Sequence, residues 1–289
     1  LAQEFDAGRL FERKIFKKLV ASSQSQALRH AFFVERAAAK IDGLPRDTPT
    51  QEINRAAVIG CGTMGGGIAM NFANAGIPVN ILEVGDAPLQ KGLGIIRSNY
   101  AASVTRGRIS QDKMNSCMAL IKGVTDFDAL GEPDIVIEAI YEKMDAKKEV
   151  FAKLDAVCPQ RTILATNTST LDVNEIAAAT KRPEKVIGTH FFSPANVMRL
   201  QENVRGQKTS DETIASTMAL AKKLGEPSAV FIGGADKAGE AAVRDCMPAS
   251  SHLVCIEDQS GAEVGGLDAQ DYDDALAAGS PHRDFGPRS

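Results

Sequence analysis

Tryptophan is absent from these 289 residues, and Phe, Tyr and Trp together make up only 5%. So few flat side chains leave little for single-stranded nucleic acid to stack upon. Positive charge is not in excess either: 33 Lys+Arg stand against 37 Asp+Glu, a formal net charge of −4. Nucleic acid is therefore not an expected partner. No run approaches the roughly 18 uninterrupted apolar residues that span a bilayer, and Glu4 and Asp6 stand where a secretory leader would be basic and then apolar. These absences predict a cytoplasmic chain with no membrane partner. The 5 Cys (Cys61, Cys117, Cys158, Cys246 and Cys255) are odd in number and never spaced Cys-x-x-Cys. That spacing encodes neither a disulfide framework nor a zinc site, and no metal is expected. What is present, 44% hydrophobic and 24% charged residues, suffices for a sizeable core.

The first fifty residues read as helices without a core of their own. Leu28, Phe32, Phe33, Val34 and Ala37 form an apolar stripe, and Gly43, Pro45 and Pro49 then break the pattern. Residues 1–50 are accordingly expected to be a helical linker. From Arg55 short apolar runs alternate with helical periods, the signature of βαβ units and a parallel sheet. Strands are expected at 56–60, 79–83, 135–138, 162–165, 186–189 and 230–232. Helices are expected at 64–75, from an Asp86 cap onward, around Met144 to Val157, and after a Ser210 cap. Beyond Gly233 the apolar period stops and Gly, Ala, Asp and Ser dominate, so 233–289 reads as a disordered tail. The expected fold is α/β, a Rossmann-type doubly wound sheet over 51–232.

The strongest local signal is Gly60-Cys61-Gly62-Thr63-Met64-Gly65, placed after an expected strand and opening an expected helix. Gly60 allows the tight turn, Gly62 lets a pyrophosphate come close, and Gly65 lets helix and strand pack. The N–H groups of Thr63, Met64 and Gly65 then face the phosphates with the positive end of the helix dipole. An acidic residue is required about 20 positions on to accept the ribose hydroxyls. Glu83, at the end of the next expected strand, meets that requirement and favours NAD over NADP.

Five stretches together resemble the NAD-binding domain of the 3-hydroxyacyl-CoA dehydrogenases, above all that of the multifunctional β-oxidation enzymes. They are Gly60 to Gly65, Val136-Ile137-Glu138-Ala139, Asn167-Thr168-Ser169, Gly188-Thr189-His190-Phe191-Phe192-Ser193-Pro194 and Lys208-Thr209-Ser210. The resemblance covers roughly residues 25 to 225 and implies NAD as cofactor and an acyl-CoA as substrate. It implies His190 as proton acceptor, Glu202 as its acidic partner and Ser169 as a contact to the substrate oxygen. Glu142, Lys147 and Asn167 match positions on the cofactor side. The residue types suit the chemistry: alcohol oxidation needs a base near neutral pKa, which imidazole supplies, and a carboxylate orients it. Taken singly, each has a plainer reading. His190 alone is an ordinary residue following a strand, Glu202 a surface carboxylate, Ser169 a turn-former, and Lys147 part of a solvated helix face with Lys148.

In the multifunctional enzymes a segment like 27–44 follows a hydratase/isomerase domain, so such a domain is expected upstream of Leu1. After 229–234 the family's Gly-Phe-x-x-Asn-Arg stretch and its C-terminal helical domain have no counterpart. Most of the family's homodimer surface is therefore expected to be missing, with 233–289 arising from a shifted frame or an unrelated join. Reading the coding DNA in the other two frames tests this, and failure to recover that stretch would sink it. The expected activity is oxidation of 3-hydroxyacyl-CoA to 3-oxoacyl-CoA. The alternatives are a non-catalytic NAD-binding fragment and, ranked last, a dehydrogenase of hydroxy or sugar acids.

Overall fold

The computed structural model describes residues 4–38, 41, 43–45, 47–198 and 200–225, with three strand segments beyond them. Phe5–Val20 (α1) and Ser23–Ala38 (α2) come first, and α1 buries none of its residues. Phe11, Phe16, Leu19, Phe32 and Phe33 are all exposed.

The sheet begins at Ala56–Ile59 (β1), where every position is buried, as in a strand covered on both faces. Alternate side chains divide between the faces: Ala56 and Val58 join one apolar cluster, Ala57 and Ile59 the other. Thr63–Asn74 (α3), Asp86–Thr105 (α4) and Gln111–Leu120 (α5) cover the first face through Ile68, Phe72, Ile96 and Met114. Met144–Val157 (α6) and Val173–Ala177 (α7) cover the second through Phe151, Leu154 and Ile176. Asp211–Leu224 (α8) returns to the first face with Ile214 and Leu220.

The remaining strands are Val79–Leu82 (β2), Ile121–Val124 (β3), Ile135–Glu138 (β4), Ile163–Thr166 (β5), Val186–Phe191 (β6), Gln201–Arg205 (β7) and Ser228–Ile232 (β8). They lie in the order β3-β2-β1-β4-β5-β6-β7-β8. The chain reverses direction of travel across the sheet between β1 and β4, and this switch point is where doubly wound sheets bind nucleotides. Every neighbouring pair is parallel except β6 with β7. Leu253–Cys255 (β9) and Ala269–Asp271 (β10) pair in parallel as a separate two-stranded sheet. The expectation of a disordered tail otherwise falls outside the described residues.

Four sequence expectations need correction. Asp86 does not cap α4: Gly85, at φ 98°, is the N-cap, and Asp86 is the first helical residue, where its charge still favours the dipole. His190 lies within β6 rather than after the strand, because pairing with β7 extends the ladder to Phe191. β7 was not expected, since Gln-Glu-Asn-Val-Arg carries one apolar residue among five. Residues 111–124 also hold a helix and a strand, α5 and β3, that were not expected, because the apolar run Cys117 to Ile121 straddles their junction and shows the period of neither. Ser210 does cap α8, its hydroxyl accepting from the Thr213 N–H at 3.2 Å.

Candidate active site

The C-terminal ends of β1, β4, β5 and β6 converge at the switch point. Gly60 turns the chain at φ 98°, and a Cβ there would stand 2.8 Å from the Ala139 carbonyl oxygen on β4's extension. At Gly65 a Cβ would come within 1.9 Å of the Gly60 carbonyl oxygen, so only hydrogen lets α3 start this close to β1. A Cβ on Gly62 would meet nothing within 4 Å. Gly62 is also the N-cap of α3 and provides no side-chain cap, so no side chain there takes the first-turn N–H groups beside that open space. Glu83 stands beside it: one carboxylate oxygen accepts from the Cys61 N–H at 2.8 Å and the other from the Val84 N–H at 2.8 Å. Open space, unpaired helix N–H groups and a carboxylate at the end of β2 are what a dinucleotide with free ribose hydroxyls requires. Cys61 between the glycines is buried, and burial, then the Glu83 charge, push its thiol up to about 11. It stays protonated and inert at neutral pH.

A cavity of about 290 Å³ adjoins this turn, lined by residues that include Met64, Glu142, Asn167, Ser169, His190 and Phe192. His190 and Glu202 are register partners across the antiparallel β6–β7 pair, so their side chains share one face. The His190 Nδ1 to Glu202 Oε2 distance is 2.7 Å. A carboxylate accepts, so Nδ1 carries a proton, and in the neutral ring that leaves the lone pair on Nε2. The Phe192 ring lies against the imidazole, centroids 4.7 Å apart. Asn167 Oδ1 accepts the Phe191 N–H at 2.8 Å and ties the ends of β5 and β6 together.

Behind the cavity lies a charged cluster. Glu142 Oε1 accepts from the Thr168 hydroxyl and from the Ser169 N–H at 3.1 Å, while Oε2 meets Lys147 Nζ at 3.3 Å. Burial acts to raise the Glu142 carboxyl, but the Thr168 hydrogen bond, the Lys147 charge and hydrogen bond, and the Ser169 N–H outweigh it and hold the carboxyl below the usual carboxylate range.

The structure thus brings together the residues singled out in the sequence. Gly60, Gly62, Thr63, Met64, Gly65 and Glu83 shape the turn, and Glu142, Asn167, Ser169 and His190 line the cavity with Glu202 bonded to His190. Lys147 is 1% exposed and, like Glu202, stands one contact behind the cavity wall, here through Glu142, so it is not part of a solvated face with Lys148. Sequence reasoning missed the buried Glu138 that holds this lysine. Its signal was a carboxylate ending the apolar run Ile135 to Ile137. Among the described residues no group of His, Cys, Asp and Glu is arranged to hold a metal ion.

The family model for the NAD-binding domain of 3-hydroxyacyl-CoA dehydrogenase matches residues 55–232. The peroxisomal fatty acid β-oxidation multifunctional protein of Oryza sativa subsp. japonica is 42% identical over 219 residues, 75% of this chain and 30% of that protein. The peroxisomal bifunctional enzyme of Cavia porcellus is 41% identical over 235 residues, 79% of this chain and 32% of that one. The chain therefore spans about a third of the length of these relatives. Among solved structures, (S)-3-hydroxybutyryl-CoA dehydrogenase from Ralstonia eutropha superposes with a TM-score of 0.62 at 37% identity, covering 63% of this chain and 65% of that one. The dehydrogenase part of multifunctional enzyme 1 from C. elegans gives 0.61 at 31% identity, covering 71% and 49%. The chain belongs to the 3-hydroxyacyl-CoA dehydrogenase family, and residues 55–232 are its NAD-binding domain.

Proposed function

We propose that this chain is the cofactor half of a dehydrogenase that oxidises 3-hydroxyacyl-CoA to 3-oxoacyl-CoA. The observation that carries the reading is the 2.7 Å His190–Glu202 contact at a cavity joined to the glycine turn. NAD, when bound, supplies the hydride acceptor. Thr63, Met64 and the glycine turn hold its pyrophosphate, Glu83 its adenosine ribose, and Asn167 and Glu142 its nicotinamide side. The alcohol O–H gives its proton to His190 Nε2, and Glu202 keeps the ring oriented and stabilises the imidazolium that forms. Ser169 donates to the substrate oxygen. Lys147 serves the cofactor side through Glu142.

The test is the 340 nm absorbance of NADH mixed with acetoacetyl-CoA and the purified chain, beside its His190→Gln variant. Loss of absorbance in the parent alone supports the reading; equal loss in both removes His190 from its role. A second reading, a non-catalytic NAD-binding fragment, is favoured by the coverage of only 65% of the Ralstonia enzyme. It predicts NADH binding without absorbance loss.

The exposed apolar side chains of α1 and α2, with multifunctional relatives about two and a half times as long as this chain, support an upstream hydratase/isomerase domain packed on these helices. Extending the coding sequence upstream of Leu1 tests it. Among the described residues no helix is long and apolar enough to cross a membrane. The cytoplasmic reading competes with the peroxisomal one named for the relatives, and microscopy of the tagged chain decides between them.

A further inference from the structure

Glu138 ends β4 with a side chain 0% exposed, and Lys147 in the first turns of α6 is 1% exposed. The ammonium lies 2.7 and 3.0 Å from the two Glu138 oxygens. Glu138 also accepts the Ile140 N–H at 2.8 Å and the Thr166 hydroxyl at 2.7 Å. Every oxygen of this buried carboxylate is thus used, by donors from three separate segments.

Such an arrangement is a poor way to gain stability. Desolvating a carboxylate and an ammonium can outweigh their attraction, and apolar replacements of both are often neutral or better. The lysine is also placed against the helix dipole, near the positive N-terminal end of α6. Its remaining contact shows what the pair holds. Lys147 Nζ lies 3.3 Å from Glu142 Oε2, and the other Glu142 oxygen takes the Thr168 hydroxyl, the Ser169 N–H and, at 3.5 Å, the Thr170 hydroxyl. Thr168 in turn accepts the Leu171 N–H at 2.9 Å. Behind it, the Glu138 carbonyl accepts the Asn167 N–H at 2.8 Å.

We propose that Glu138 is a positioning residue which, through Lys147 and Glu142, fixes the 167–170 loop and sets Ser169 against His190 in the cavity. Glu138 touches neither cofactor nor substrate. It acts by making one geometry of the β4 and β5 loop ends much better than the others, and its functional consequence rests on the NAD reading above.

The test is the charge-free double variant Glu138→Gln/Lys147→Met, measured for thermal stability, amide hydrogen exchange at Ser169 and NADH binding by fluorescence. Lys147→Met alone strands a buried carboxylate and lowers Tm by about 10 °C. The double variant removes both charges and returns Tm to within about 5 °C of the parent. If Glu138 positions the loop, that stable double variant still exchanges its Ser169 amide at least tenfold faster and binds NADH at least tenfold more weakly. Ser169 protection and NADH affinity equal to the parent's overturn the proposal and leave the cluster a packing device. The exchange arm needs no cofactor: a parent that fails to bind NADH, with Ser169 exchange raised in the variant, refutes the NAD reading and keeps the positioning role. Should the double variant not fold, Glu138→Gln alone, which leaves Lys147 on Glu142, carries the same exchange test. Loss of Ser169 protection supports the relay, and unchanged protection overturns it.

Discussion

Replacing Glu202 by Gln changes one charge and almost no volume, at a side chain 2.7 Å from His190 Nδ1. Gln still accepts the Nδ1 proton through its amide oxygen, so the resting geometry survives. The difference arises when Nε2 takes the substrate proton and the ring becomes positive. A hydrogen bond to a charged partner contributes about 1.5–3 kcal/mol, which at about 1.4 kcal/mol per decade is about 10- to 150-fold in rate. His190 is 21% exposed and Glu202 26%, and water at that exposure weakens the interaction. The expected loss in kcat is therefore at the low end, about tenfold. His190→Gln removes the proton acceptor itself and lowers kcat by about 10²–10⁴-fold. The double variant should match His190→Gln alone, because Glu202 acts only through the ring. Initial rates at 340 nm over a range of acetoacetyl-CoA and NADH concentrations give kcat for all four proteins. Wild-type kcat in Glu202→Gln, or additive losses in the double variant, would show that Glu202 does not act through the His190 ring.

Three further outcomes are expected. Gly62→Ala should keep the parent Tm, since its Cβ meets nothing within 4 Å, yet weaken NADH binding; Gly65→Ala, with a Cβ 1.9 Å from the Gly60 oxygen, should lose stability as well, and thermal melts paired with NADH titrations check both. Arg182 is 1% exposed and donates to the Asp155 carboxylate at 2.7 Å and to the carbonyls of Asp155, Cys158 and Pro159; Arg182→Met should lower unfolding free energy by about 3–5 kcal/mol in urea titrations. Because the folded Glu142 carboxyl is held below its usual value of 4.5, its contribution to loop order is fully present above about pH 4.5 and is lost as pH falls through the lower folded value. Thr168→Val should shift that loss to higher pH, read by the carboxyl carbon chemical shift of Glu142, and an unshifted midpoint contradicts it.

The parts of this molecule that were legible in the sequence are those where one residue type has a local reason. Gly60 and Gly65 announce a close strand-to-helix turn, and the short apolar runs Ala56 to Ile59, Ile135 to Ile137 and Ile163 to Ala165 announce strands buried on both faces. His190 and Glu202 were paired through resemblance, whereas the physical reason they meet is the antiparallel β6–β7 register. That strand was invisible because its side chains are polar: Gln201 and Asn203 bond one another in the interior, and Glu202 bonds His190. Lys147 shows the opposite limit. Beside Lys148 in a charged stretch it looks solvated, and only the fold shows that its ammonium is enclosed by Glu138 and Glu142. Long-range partners override local polarity wherever a buried charge is matched.

Where NAD binds on this chain is decided by a crystal structure grown with the cofactor. The pyrophosphate should lie over Gly62 at the N-terminus of α3, the adenosine ribose on Glu83, and the nicotinamide in the cavity beside His190, Asn167 and Ser169. NAD bound elsewhere, or a nicotinamide turned away from His190 with Glu83 unengaged, would contradict this placement.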